Sequence, residues 1–436
     1  MSAERADIVI VGAGAAGLMA AIAAARHDAQ RRVVALDGAR TLGAKILVAG
    51  GGRCNVTHHH VDESAYAGSS RHAIKQVLRA FDAAATVRFF RELGVELKRE
   101  ETGKLFPVTD RARTVLDALL DECRRLGVEL LHPWRVGRVE RTPSQEHPFE
   151  VHEAPPRGDS SDAPPAPRAF VCRRLILATG GQALPRSGSD GQGYSIARAL
   201  GHTTTQRIFP ALVPLVLDAS SFIRQLSGIT LDCTLELRSG TGARLASFTG
   251  STLLTHFGLS GPAPLDMSRY YLDERARDAG ATLVISFVPG AAPAQLDAAL
   301  TTLGKRPVRA FLRERLPDRL ADALAAHAGV PDHATGATLS RELRKGLVRA
   351  LTECAAPVAG DRGFTYAETT AGGVPLSELV LQSMESRACP GLHVIGEICD
   401  VDGRIGGFNF QWAWASGHLA GTAAACALGA TAADRR

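Results

Sequence analysis

The run Ile8-Val9-Ile10-Val11-Gly12-Ala13-Gly14-Ala15-Ala16-Gly17-Leu18-Met19 decides the fold of this 436-residue chain. Four β-branched residues in succession read as a buried strand. Gly12, Gly14 and Gly17 follow at GxGxxG spacing, and an alanine-rich stretch continues as a helix. The next strand, Arg32-Val33-Val34-Ala35-Leu36, ends in Asp37, twenty positions beyond Gly17. In that context the glycines turn the chain, let backbone approach a pyrophosphate and let helix pack on strand. The helix N-terminus offers N–H groups to phosphates, and the acid receives ribose hydroxyls. Asp37 repels a 2′-phosphate, so the expected dinucleotide is FAD or NAD rather than NADP.

Composition agrees with a folded α/β chain. Glycine is enriched, with 44 residues, against a usual ~7%. Hydrophobic residues make up 45% and charged residues 22%, which excludes general disorder, a coiled coil and collagen. The net charge of +5 permits nucleic acid as a partner without requiring it. Eight cysteines without a CxxC pair point to a reducing cytoplasm. The uncharged run Ile8 to Ala25 is broken by motif glycines and follows Glu4 and Asp7, not a basic cluster. It and the apolar tail Trp412–Ala430 read as buried elements, so no membrane span is expected.

Periodicity predicts helices over 72–93 and 111–126, ended by Gly94 and Gly127, then strands at 134–141, 149–153 and 170–178. The Pro-rich stretch 154–168 reads as a surface loop. Apolar–polar alternation over 205–290 predicts an antiparallel sheet or barrel, and 293–355 reads as helices, with Ser340 as an N-cap. Leu392-His393-Val394-Ile395 is a further buried strand. The expected architecture is a Rossmann-like FAD-binding domain with a β-meander, at 1–193 and 356–436. A β-barrel-like insert, 194–290, and a helical insert, 291–355, interrupt it.

Three more segments select FAD. Gly43-Ala44-Lys45 with Gly50-Gly51-Gly52-Arg53-Cys54-Asn55-Val56-Thr57 forms a backbone cradle with donors for pyrophosphate or flavin oxygens. Leu175 to Gly181 is a strand running into glycines. Gly396-Glu397, Asp400 to Gly403 and Gly406-Gly407-Phe408-Asn409-Phe410-Gln411-Trp412-Ala413 place acids near ribityl hydroxyls and a helix N-terminus near the flavin ring.

These motifs, with Thr255 to Ala263 (THFGLSGPA) and Thr370 to Val374 (TAGGV), make the chain resemble the HI0933-type flavoprotein family over nearly its whole length. Ser187 to Gly193 is also similar to a segment of fumarate-reductase-like flavoproteins. The resemblance implies a glutathione-reductase-like FAD fold. Its implied FAD contacts are Gly12, Gly14, Ala16, Gly17, Asp37, Lys45, Gly52, Arg53, Asn55, Val136, Asp190, Glu397, Asp400, Gly407, Asn409 and Phe410. One departure is Asp37, where the family commonly has Glu. The implied activity is hydride transfer to a C=C bond, of uridine in ribosomal RNA or of an unsaturated small molecule such as a steroid. NADH or NADPH is the expected transient reductant. The alternative is an RNA-binding or assembly protein whose FAD is structural.

Two residues are candidates for catalysis. Cys54, beside Arg53, is a candidate low-pKa nucleophile, although the lack of a second nearby cysteine excludes a dithiol mechanism. His256 is a candidate proton donor. Asp402 and Arg404 either bind substrate or brace their loop. His58-His59-His60 lacks the spacing of a metal site, and none is expected. Between Lys305 and Arg349 lie ten Lys/Arg and five Asp/Glu, an excess equal to that of the whole chain. Arg309 with Arg313, and Arg341 with Lys345, share helix faces and make this stretch a candidate RNA contact.

Overall fold

The computed structural model describes residues 3–155 and 168–429, so most of the expected Pro-rich loop lies outside the described residues. The chain packs as two compact units, Met1–Pro210 with Thr369–Arg436, and Ala211–Glu368.

The first unit is built on the opening motif. The strand Glu4–Val11 runs parallel to Ala169–Leu177 on one side and to Val33–Leu36 on the other. Leu392–Val394 extends the sheet beyond Ala169–Leu177, and Glu129–Leu131 extends it beyond Val33–Leu36, both in parallel. Burial on both faces explains the unbroken apolar runs. The expected meander is present: Val136–Arg141 pairs antiparallel with Phe149–Glu153, which pairs with Ala169–Leu177. The glycine turn leads into the helix Ala15–His27, whose residues from Ala16 to Ala25 are all buried.

That helix explains the apolar C-terminal tail. The tail forms one helix, Phe408–Gly429. A Cβ on Gly417 would lie 2.6 Å from the Ala16 carbonyl oxygen, and one on Gly421 would lie 2.2 Å from that of Ala20. Small residues on both helices therefore allow backbone-to-backbone contact. Among the described residues no helix is long and apolar enough to cross a membrane.

One expected helix is two. The stretch 72–93 breaks into Arg71–Ala80 and Ala83–Glu92. Asp82 leaves the helical conformation and its carboxylate accepts the Ala85 N–H at 2.7 Å, starting a new helix. An Asp side chain competes with the backbone ladder in this way when it falls inside a helical pattern. Gln411 Nε2 donates to the Phe81 carbonyl at the break. Gly94 and Gly127 adopt positive φ just past their helices, as expected of C-terminal glycines.

The second unit holds a seven-stranded antiparallel sheet. Its order is Cys354–Ala356, Thr282–Ser286, Thr230–Arg238, Arg244–Leu254, Gly258–Ser260, Leu215–Leu217, Val358–Asp361. The two end strands are separated in sequence by Pro357 alone, so the sheet must curl until its edges are close, as a barrel does. The helices Pro293–Thr301, Val308–Arg313, Asp318–His327 and Arg341–Thr352 share this unit's core. Ser340 Oγ accepts the Leu343 N–H and caps the last of them. The expected boundaries, 193/194 and 355/356, differ from this division. The helix Gln192–Ala199 stays with the first unit, and the strands at 354–361 complete the second unit's sheet.

Candidate flavin site

The turn between the first strand and helix is shaped by contact. A Cβ on Gly12 would sit 2.4 Å from the Ala178 carbonyl oxygen, and one on Gly17 would sit 1.8 Å from that of Gly12. Gly14 differs: a Cβ there meets nothing within 4 Å, so its surface faces open space at the helix N-terminus. Ala16, next in the motif, is buried on the helix and packs close to Gly396. Asp37 closes the turn. Its carboxylate accepts the N–H groups of Ala13 and Ala39, each at 2.8 Å. Burial raises the Asp37 pKa, opposed by those two hydrogen bonds.

The second segment folds less regularly than a helix. Gly50, Gly51 and Gly52 all have positive φ, and so does Cys54. Asn55 is buried, and its Oδ1 has no hydrogen-bond partner among the described residues. Lys45 Nζ lies 2.6 Å from Glu397 Oε2, joining this segment to the C-terminal one. Thr370 ties in the third. Its N–H and hydroxyl both donate to Glu397 Oε1, and its hydroxyl accepts the N–H groups of Gln182 and Ala183. Gly407 packs on the Thr57 backbone. Phe410 is half-buried and stacks on Trp414 at 5.6 Å.

Asp400 is buried, and its carbonyl and carboxylate both accept from Ser69. The residues expected at the adenosine end also lie together. Val136 is buried next to Arg135, whose guanidinium pairs with Asp190 at 2.5 Å and whose Cβ packs on Gly38. Gln192 Nε2 donates to the Gly137 carbonyl.

Several other candidate residues are engaged within the chain itself. The Arg53 guanidinium does not turn into the cradle: it lies 4.0 Å over the Phe106 ring and pairs with Glu100 at 2.6 Å, partly exposed. The Asn409 amide is consumed by its own loop, accepting from the Gly403 N–H at 2.8 Å and donating to the Gly403 carbonyl at 2.9 Å. Cys54 is fully buried, and burial pushes its thiol up to about 12, so it is no thiolate at neutral pH. His58 faces the carbonyl oxygens of His60 and Thr102 and stacks on Phe408. Asp402 is buried, whereas Arg404 is exposed.

In the second unit, His256 is exposed at the tip of a turn closed by Thr255 and Gly258. Arg224 Nε donates to the His256 carbonyl at 2.9 Å. The neighbouring Phe257 ring lies 4.5 Å beneath the Arg362 guanidinium, which also covers Tyr366 at 3.7 Å.

Three residues beside these segments were not among the expected contacts: Arg135, Tyr194 and Thr370, the last read only as the start of a motif. Tyr194 is buried, its hydroxyl has no partner among the described residues, and burial with nearby Glu397 pushes its pKa well up. It directly follows the Ser187–Gly193 motif, and that adjacency was the available signal.

These residues fit FAD. The open face at Gly14 suits a pyrophosphate, the orphaned Asn55 Oδ1 awaits a donor, and Asp37 stands where ribose hydroxyls bind.

Comparison with known proteins agrees. The chain matches the family described as HI0933-like protein Rossmann domain over residues 6–423. It is 34% identical to the 3-dehydro-bile acid delta(4,6)-reductase of Clostridium scindens, covering 96% of this chain and 98% of that one. It is 32% identical to a ribosomal RNA dihydrouridine synthase of Escherichia coli, covering 95% and 96%. The 3-ketosteroid delta1-dehydrogenase of Sterolibacterium denitrificans shares the fold, with a TM-score of 0.51 at 13% identity, over 97% of this chain and 100% of that one. The chain therefore belongs to the HI0933-like family and is an FAD-dependent oxidoreductase.

Proposed function

We propose that this protein saturates the C5–C6 double bond of uridine in ribosomal RNA. One observation carries the reading: the two named relatives, similar from end to end, both have names that denote saturation of a C=C bond. Dihydrouridine differs from uridine by two hydrogens across C5–C6. A reductase of an unsaturated small molecule is the second reading, favoured by the bile acid relative.

FAD, when bound, supplies hydride chemistry. The chain's own groups hold it and manage protons. Backbone N–H groups after Gly14 receive the pyrophosphate, and Asp37 accepts from ribose hydroxyls. Glu397, oriented by Lys45 and Thr370, accepts from a cofactor hydroxyl. A side chain or water supplies the proton that completes saturation at the second carbon. NADH or NADPH acts as the electron source and leaves after transfer.

Purified protein should be yellow and release FAD, and NADH or NADPH should bleach it without air. Ribosomal RNA from cells lacking the gene should lack a dihydrouridine that normal RNA carries, and should gain it on incubation with the reduced protein, read by mass spectrometry. Turnover of an unsaturated steroid with no change in RNA supports the second reading. A flavin that no reductant bleaches, in a protein that still binds RNA, supports a structural flavin instead.

A further inference from the structure

The basic stretch Lys305–Arg349 is not uniform. Arg309 pairs with Asp322 and Asp332, Arg313 with Asp322, Arg306 and Arg315 with Glu314, and Arg344 with Asp297. Arg319 is occupied by the carbonyls of Gln225 and Ser227. The faces first singled out at Arg309 and Arg313 are therefore largely neutralised.

The helix Arg341–Thr352 behaves differently. Arg341, Lys345 and Arg349 are all exposed, and among the described residues none of them forms an ion pair. Asp297 feels both Arg341 and Lys345, but its carboxylate is bonded to Arg344 at 2.8 Å. Spaced at i, i+4 and i+8, the three cations form one stripe, with steps of about 6 Å along the axis. The opposite face, Leu347, Ala350 and Leu351, is buried in the second unit's core. Like charges at i,i+4 destabilise a helix. Two such pairs in succession, in a segment that elsewhere pairs its arginines, are unfavourable for the isolated fold. A polyanion lying along the stripe removes that repulsion.

We propose that Arg341, Lys345 and Arg349 form a docking surface for the phosphate backbone of RNA. This rests on the RNA-substrate reading above. The stripe carries no aromatic side chain, so it engages phosphates without reading bases. Its role is to hold the RNA while a single uridine is selected elsewhere on the protein.

The test is RNA binding by the FAD-loaded triple variant R341Q/K345Q/R349Q, using a ribosomal RNA fragment at ~50–200 mM salt. The slope of log K against log salt should flatten by about 2–3, and affinity in low salt should fall at least about tenfold. Flavin content should match wild type, and thermal stability should match or slightly exceed it, since all three side chains are exposed and their mutual repulsion is gone. The pair R309Q/R313Q should leave the slope nearly unchanged. A triple variant with the wild-type slope, alongside intact wild-type binding and RNA turnover, overturns the surface alone. A wild type without salt-dependent RNA binding that still reduces a small unsaturated compound overturns the surface and the RNA reading together.

Discussion

Lys45 Nζ and Glu397 Oε2 lie 2.6 Å apart, although 352 residues separate them in the chain. The other oxygen of Glu397 accepts from both the N–H and the hydroxyl of Thr370. Two other segments thus set the direction of one carboxylate. Thr370→Val keeps the shape but removes the hydroxyl, leaving the N–H groups of Gln182 and Ala183 without an acceptor. Loss of about 1–3 kcal/mol per unsatisfied group is expected. Thermal unfolding followed by flavin fluorescence should show earlier FAD release, and Thr370→Ser should restore it. A Val variant as stable as wild type would show that this hydroxyl orients nothing.

The glycines at 14 and 17 should fail differently. Gly17→Ala drives a methyl into the Gly12 carbonyl at 1.8 Å, so folding itself should suffer. Gly14→Ala meets no protein atom within 4 Å, and its φ of −80° suits alanine. That variant should fold normally and bind FAD about tenfold or more weakly, about 1.4 kcal/mol, because the methyl enters the phosphate space. Circular dichroism and FAD titration separate the two. Wild-type affinity in Gly14→Ala would remove Gly14 from the site.

Thiol reactivity should follow burial. Of eight cysteines only Cys426 is exposed. At neutral pH the native protein should react quickly with an aromatic disulfide reagent at one thiol, and Cys426→Ser should abolish that reaction. Cys54, pushed up to about 12, should react only after unfolding. Fast labelling at Cys54 in the folded protein would restore it as a nucleophile.

FAD affinity should depend on Asp37 ionisation. Its pKa is raised by burial. For the fold alone, this group's contribution is complete below the unfolded carboxyl value and is lost as pH rises through the folded one. Cofactor binding has the opposite sign, since a carboxylate is needed to accept ribose hydroxyls. Affinity should therefore fall as pH drops through the raised value, by at most about tenfold per unit. Titrations at several pH values should show this, and Asp37→Asn should flatten the profile.

Much of this was legible before any tertiary structure, where the rule is local. The strand–glycine–helix turn, the terminal glycines at 94 and 127 and the Ser340 cap each depend on a few adjacent residues. The missed break at Asp82 is also local, but an Asp inside an apolar helical pattern looks like a solvent-facing position until its side chain is seen to cap. The exposed face of Arg341–Thr352 followed from helical spacing, whereas the neutralisation of Arg309 and Arg313 required the positions of Asp322 and Asp332.

By itself, then, the sequence determined a dinucleotide-binding α/β unit, its FAD preference and its family. Those rest on short motifs whose backbone geometry is set by neighbouring residues. Tertiary structure alone decided where side chains point and with whom they pair. It turned Arg53 onto Phe106 and Glu100, spent the Asn409 amide on Gly403, buried Cys54 and recruited Thr370 to Glu397. It also assigned strands 354–361 to the second unit's sheet. The reason is physical: a hydrogen bond or strand pairing across hundreds of residues leaves no periodicity in the sequence, and its partners are chosen only once the core brings them within reach.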